Sequence, residues 1–186
     1  MDTLFAESIP AVQVIVLVQQ PVSHQDTQLR ETLNAVLGTR VARRVLAHGG
    51  AGEDWLPTGF DPLRQRGSGY GERLAAAFAD AYATAALPML LIRDDALGVT
   101  PGMIEDAARS LVSGEADAIY GPAADGGFWL LGLNRPDRSL VVGVPAPTED
   151  AAPGAGRVLL DRLASDGLRV ALAPRLETAG SPALRF

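Results

Sequence analysis

Apolar residues fall along this chain in short dense runs that alternate with stretches of wider, helix-like spacing, and that alternation predicts repeated strand and helix units. VQVIVLV, residues 12–18, is nearly all β-branched and lies between Pro10 and Pro21. It shows no sustained polar alternation, so it predicts an interior strand with both faces covered. Asp26 or Thr27 can cap a helix running to about Leu37, with Leu29, Leu33, Val36 and Leu37 on one face and Gly38 as the stop. Residues 41–47 predict a second strand, interrupted by Arg43 and Arg44, and residues 55–62 a proline- and glycine-bearing loop. The GSGYG run at 67–71 opens a helix carrying Leu74, Phe78 and Tyr82.

The second half repeats the scheme. LPMLLI, residues 87–92, predicts a strand; Thr100 caps a helix that starts at Pro101 and runs to Leu111, with Gly114 ending it. Residues 118–120 and 128–133 are apolar and flank Gly121, Pro122, Asp125, Gly126 and Gly127, a strand, turn and strand. Val141, Val142 and Val144 suggest an edge strand, 148–156 a surface loop, 157–166 a helix and 168–173 a last strand, while the tail from Pro174 has no clear period. These elements predict a single α/β domain over residues 1–186, its sheet mostly parallel and flanked by helices, with one antiparallel element near Gly121 to Leu133.

Composition narrows the classes of function. The net charge is −6, and all 16 basic residues are arginines scattered along the chain, which argues against a nucleic-acid-binding face. No apolar run approaches the roughly 20 residues of a membrane helix. The opening carries Asp2 and Glu7 in place of a basic leader, so a cytoplasmic protein without a membrane partner is expected. With no cysteine, disulfides and thiolate metal sites are excluded. His24 and His48 are too few for a histidine metal site, and His48 beside a glycine loop reads as solvent-facing.

Candidate chemistry gathers where strands end. Ligands of open α/β sheets collect beyond the carboxyl ends of strands. Asp94 and Asp95, directly after the 87–92 run, are therefore candidate Mg²⁺ ligands with substrate phosphates completing the shell. The competing reading is that one of them pairs with Arg93 or caps a turn. Asp125 has the same ambiguity: a carboxylate beside two glycines that admit a ligand, or the usual side-chain acceptor of a tight turn. Around Gly71, the free N–H groups of a helix start attract phosphate and Arg73 adds charge, unless the glycines only turn the chain while Glu72 and Arg73 make surface ion pairs.

Three segments, RQRGSGYGERLAAAF, LLIRDDALGVTPGMIEDAARSL and DAIYGPAADGGFWLLGL, in that order and spacing, resemble a bacterial family of transferase-like proteins with the GT-A fold. Its members are labelled glycosyltransferases or nucleotide-diphospho-sugar transferases and are similar to phospholactate and molybdenum-cofactor guanylyltransferases. The likeness covers residues 65–133. The family's Q-x-x-x-D-L-G-E-R-L pattern falls on Gln65, Gly71, Glu72, Arg73 and Leu74, with Gly69 and Tyr70 in place of D-L. Its G-x-D-x-P-x-L segment falls on Ile92 to Val99, which keeps the Asp at Asp94 but has Ala96 for proline and one residue too many, and G-P-A-x-D-G-G-[YF] is intact from Gly121 to Phe128. The glycine and basic residues of the family's first loop are missing from VQQPVSHQDTQLR, where only Pro21 and Val22 correspond and Arg30 is the one cation. The late acidic motif is also lost, with Glu177 nearby in sequence.

The resemblance implies a Mg²⁺-dependent glycosyl- or nucleotidyltransferase acting on a nucleotide or nucleotide-sugar and a small-molecule acceptor. A homodimer is compatible with it. In that reading Asp94 and Asp95 hold metal, Asp125 orients the acceptor, and Arg73 meets phosphate. Gly71, Glu72, Gly126 and Gly127 contact substrate. The rival reading is a catalytically inactive member that kept the fold as a ligand-binding or interaction protein.

Overall fold

The computed structural model describes residues 9–19, 27–50, 55–147 and 154–179. The β-branched run forms β1, Gln13–Leu17, and every residue of it is buried. It lies between two parallel neighbours, β2 at Arg43–His48 and β4 at Met89–Arg93, as its unbroken apolar face pattern requires. β3, Asp61–Arg64, continues the parallel pairing beyond β2. On the other side, β6 (Phe128–Leu133) runs antiparallel to β4, β5 (Ala118–Pro122) antiparallel to β6, and β7 (Val170–Leu172) parallel to β5. The sheet therefore reads β3-β2-β1-β4-β6-β5-β7, mostly parallel with one reversed strand.

Helices cover both faces. α1, Thr27–Leu37, and α3, Pro101–Val112, bury Leu29, Leu33, Val36, Ile104 and Leu111 against Val14, Val16, Leu90 and Ile92. α2, Tyr70–Thr84, and α5, Ala155–Ser165, bury Leu74, Phe78, Leu159 and Leu163 against Ile15, Leu17, Leu91 and Leu131. Thr100 caps α3 as its sequence predicts, accepting from the Met103 N–H at 3.3 Å. No helix among the described residues is long and apolar enough to cross a membrane.

Four expectations are corrected. Residues 61–64 pair as β3 although 61 and 62 fall in the expected 55–62 loop, because an exposed edge strand needs no apolar face and here carries only Leu63 inward. The valines around 141–144 form no edge strand. Residues Arg138–Val141 make a short helix, α4, that Asp137 caps through Ser139. Arg162 then satisfies the carbonyls of Leu140 and Val142, at 3.0 and 2.7 Å. Ala155 and Gly156 are buried at the start of α5 and are not part of a surface loop. His48 is also buried, its ring edge-on to Trp55 at 5.8 Å between centroids.

Candidate functional site

Strand order reverses direction between β1 and β4, and the carboxyl ends of these two parallel strands meet at that switch point. Open α/β sheets bind ligands in such a crevice. Residues from both strand ends are tied together there. The Gln19 N–H donates to Asp94 Oδ2 at 3.2 Å, and Gln19 Nε2 to Asp95 Oδ1 at 3.3 Å. Thr32 of α1 donates its hydroxyl to the Asp94 carbonyl, so the helix is anchored at the same turn. Gln65 performs a similar service one strand over, with Nε2 2.6 Å from the Val18 carbonyl and 2.7 Å from that of Ala47. Its place in the family pattern thus has a local cause: it bridges the carbonyl just past β1 and that of Ala47 in β2, which also accepts from the Val18 N–H.

Arg93, the last residue of β4, dominates the chemistry of this end of the sheet. Its side chain is 2 % exposed. Nε and Nη2 grip Asp95 Oδ1 and Oδ2 at 2.9 and 2.6 Å, Nη2 also reaches Asp125 Oδ2 at 2.7 Å, and Nη1 donates to the Phe128 carbonyl at 3.1 Å. The two-pronged bond to Asp95 matches the fork of a guanidinium to a carboxylate. Burial disfavours the charged guanidinium, but the bonds from Asp125 and Asp95 outweigh it and hold the Arg93 pKa above its ordinary value. Of the alternatives open in the sequence, pairing of Asp95 with Arg93 is the one found.

Asp125 completes this lock and its own turn at once. Oδ1 accepts from the Gly127 N–H at 2.9 Å, the Asx-type bond expected of an Asp before glycines. Gly126 has φ +79° with open space where a Cβ would stand, whereas a Cβ on Gly127 would meet Pro147 Cβ at 2.9 Å and Arg93 Nη1 at 3.1 Å. Gly127 therefore makes room for the guanidinium. Beneath the turn, Tyr120 donates its hydroxyl to the Gly127 carbonyl at 2.9 Å. Burial and the Asp125 charge push the Tyr120 pKa up to about 12.

The tail, aperiodic in sequence, is stitched over the same region. Trp129 Nε1 donates to the Pro174 carbonyl at 2.8 Å, Leu97 N–H to Glu177 at 2.8 Å, and Ala179 N–H to Asp95 at 2.9 Å. Buried Thr178 brings its hydroxyl 3.5 Å from Asp125 Oδ2, while Glu177 is exposed. Thr178 is a site residue that the sequence reading passed over, and Arg93 enters that reading as a partner for Asp94 or Asp95 but not for Asp125. The only signal for Arg93 was its position before two aspartates.

At the start of α2, Glu72 reaches back to the Ser68 N–H at 3.0 Å and hydroxyl at 2.7 Å, an N-terminal capping arrangement. These bonds from Ser68 and that from Gly69 keep its pKa below the usual carboxylate range. Gly71 is filled by protein: a Cβ there would lie 2.3 Å from the Val141 carbonyl and 2.7 Å from the Gly143 nitrogen. Arg73, in the first turn, is half-buried, and its side chain makes no hydrogen bond or ion pair among the described residues. Tyr70 is buried with its hydroxyl unbonded among the described residues. Burial, opposed by the Arg93 charge and reinforced by Asp95, Asp125 and Asp94, raises its pKa.

Asp94, Asp95 and Asp125 thus share one end of the sheet. Both oxygens of Asp95 and both of Asp125 already accept hydrogen bonds within the protein. Among the described residues, no group of three or more His, Asp or Glu side chains is placed to hold a metal. The first loop, with Pro21, Val22, His24 and Asp26, and Thr148 lie outside the described residues.

Solved structures share this architecture. A provisionally assigned nucleotide-diphospho-sugar transferase from Desulfovibrio desulfuricans superposes with a TM-score of 0.74 at 17% identity, covering 94% of this chain and 84% of its own. Glucosyl-3-phosphoglycerate synthase from Mycobacterium tuberculosis, in complex with Mg²⁺ and UDP, gives 0.59 at 14% identity over 91% of this chain and 70% of its own. The same enzyme with Mn²⁺ and UDP-glucose gives 0.60 at 14% identity, over 95% and 73%. No curated protein matches the sequence. These likenesses establish the nucleotide-diphospho-sugar transferase fold. Residues 24–148, more than half of the chain, match the family described as an uncharacterized protein conserved in bacteria (DUF2064), and the chain belongs to that family.

Proposed function

We propose that this protein is a transferase-type, nucleotide- or nucleotide-sugar-binding protein whose ligand crosses the carboxyl ends of β1 and β4. The observation that carries the reading is Asp94, buried at the switch point and tied across it by the Gln19 N–H. Similar folds that bind UDP and UDP-glucose support the ligand class. Arg73 is assigned to the phosphates, because its charge has no partner among the described residues. Asp125 acts through Arg93 and the hairpin it closes; Gly71, Glu72 and Gly127 shape the backbone around the site. Gly126, with open space above it, is the glycine past which an acceptor can approach.

A divalent ion held jointly by Asp94 and Asp95 does not fit this donor set. Any such ion would have to arrive on the diphosphate and meet Asp94 as its protein carboxylate, the sparse protein ligation that Mg²⁺ accepts beside phosphates. The second reading, an inactive member that binds a ligand or partner, is favoured by the engagement of Asp95 and Asp125 within the protein.

A thermal-shift panel of UDP, GDP, CTP, UDP-glucose and GDP-mannose, with EDTA or Mg²⁺, tests the proposal. A ligand at a hundred times its Kd stabilises the native state by about 2.7 kcal/mol, a readily seen shift in Tm. Sugar or nucleotidyl transfer by the ligand that shifts Tm then separates transferase from binder. No shift with any of them ends the nucleotide reading.

A further inference from the structure

We propose that Arg93 is a built-in cation that keeps the Asp95–Asp125 site free of divalent metal. The guanidinium bridges the two carboxylates at 2.6 and 2.7 Å through one nitrogen, Nη2, so a positive centre already lies where a metal between them would be held. The arrangement is built for an arginine. Nε completes the fork to Asp95, Nη1 is spent on the Phe128 carbonyl, and Gly127 lacks the Cβ that would lie 3.1 Å from Nη1. Asp125 Oδ1 is committed to the Gly127 N–H, and Gln19 Nε2 also donates to Asp95.

A metal would have to displace a guanidinium that is 2 % exposed, and the displaced charge would need a new buried partner. Two carboxylates and one guanidinium leave a single net negative charge, where two carboxylates and a divalent ion would leave none. The inference bears on how the ligand of the preceding section is held, and rests on that reading only for this consequence. The cation experiment below stands without it.

The experiment uses the full chain and Mn²⁺ alone, followed by electron paramagnetic resonance of the free ion. Wild type is expected to show only weak binding, with affinity unchanged within about twofold in Asp95→Asn and in Asp125→Asn, as for ordinary exposed carboxylates. Arg93→Met removes the internal cation and exposes the pair. It should gain a Mn²⁺ site at least about tenfold tighter, lost again when Asp95→Asn is added, and Mn²⁺ should raise its Tm. A wild-type site that weakens tenfold or more in Asp95→Asn overturns the proposal, as does a folded Arg93→Met that gains no Mn²⁺ affinity. Circular dichroism establishes whether Arg93→Met folds; if it does not, the two carboxylate variants in the wild-type background decide alone. Failure of nucleotides to bind would leave these outcomes untouched.

Discussion

Nη2 of Arg93 lies 2.7 Å from Oδ2 of Asp125, joining the end of β4 to a hairpin turn 32 residues later. The bond links two halves of the sheet that are joined at the antiparallel β4–β6 pair. Removing one member of a buried charge cluster strands the others, at a cost of about 3–5 kcal/mol. Arg93→Met should therefore destabilise the protein by that amount in urea titrations, and adding Asp125→Asn should recover part of it. A loss below about 1 kcal/mol would place Arg93 among ordinary surface pairs.

Gly71 and Gly126 give opposite reasons for a glycine. At Gly71 an alanine should gain up to about 1 kcal/mol of helix propensity. It also collides with backbone at 2.3 Å, and overpacking of that kind costs about 1–3 kcal/mol. Collision wins because the obstacle is the Val141 carbonyl, backbone held by the Val144 N–H at 3.1 Å, and not a flexible side chain. At Gly126 there is space, but φ is +79°, so alanine costs about 1–2 kcal/mol through backbone strain alone. Both losses are measurable by denaturant melts. A stabilised Gly71→Ala would mean that α4 does not seat against α2.

Much of the sheet was legible because fully buried parallel strands must be continuously apolar, as residues 12–18 and 87–92 are. Edge and connecting segments were not. Residues 61–64 carry one inward apolar side chain, and the β-branched valines at 141, 142 and 144 read as strand because nothing local in the sequence shows the distant Arg162 that bonds the carbonyls at the end of α4. At the site, the acidic positions and their common end could be read from strand ends. Pairing of Arg93 with Asp95 was one of the readings open in the sequence; the reach of the same guanidinium to Asp125 was not legible, since no local pattern relates the two segments.

Asp117 ties the start of β5 to that of β7. Its side chain accepts from Arg169 Nε and backbone N–H, both at 2.9 Å, and from Nη2 at 2.8 Å. The Arg169 side-chain bonds, then its backbone bond, lower the Asp117 pKa to about 2. A carboxylate with a depressed folded pKa stabilises above its unfolded value, near 4, and loses that contribution as pH falls toward 2. Asp117→Asn should consequently be less stable than wild type at pH 6, with the gap closing between about pH 4 and 2. Urea midpoints across that range measure it; a gap independent of pH would assign the loss to packing.

Asp94 decides how a nucleotide would be held. The Gln19 N–H donates to one of its oxygens, so Asp94→Asn can keep that bond through its amide oxygen while losing the charge. In EDTA, a diphosphate at the switch point faces a like charge. Its removal should tighten UDP binding by roughly two- to tenfold, the size of a screened charge pair several ångströms apart at an interface. In Mg²⁺ the same substitution should weaken binding if the diphosphate's ion meets Asp94, because Asn is the poorer ligand for a hard cation. Isothermal calorimetry with UDP under the two conditions gives both signs from one pair of proteins. Equal affinities for wild type and variant in EDTA and in Mg²⁺ would place the diphosphate away from the ends of β1 and β4.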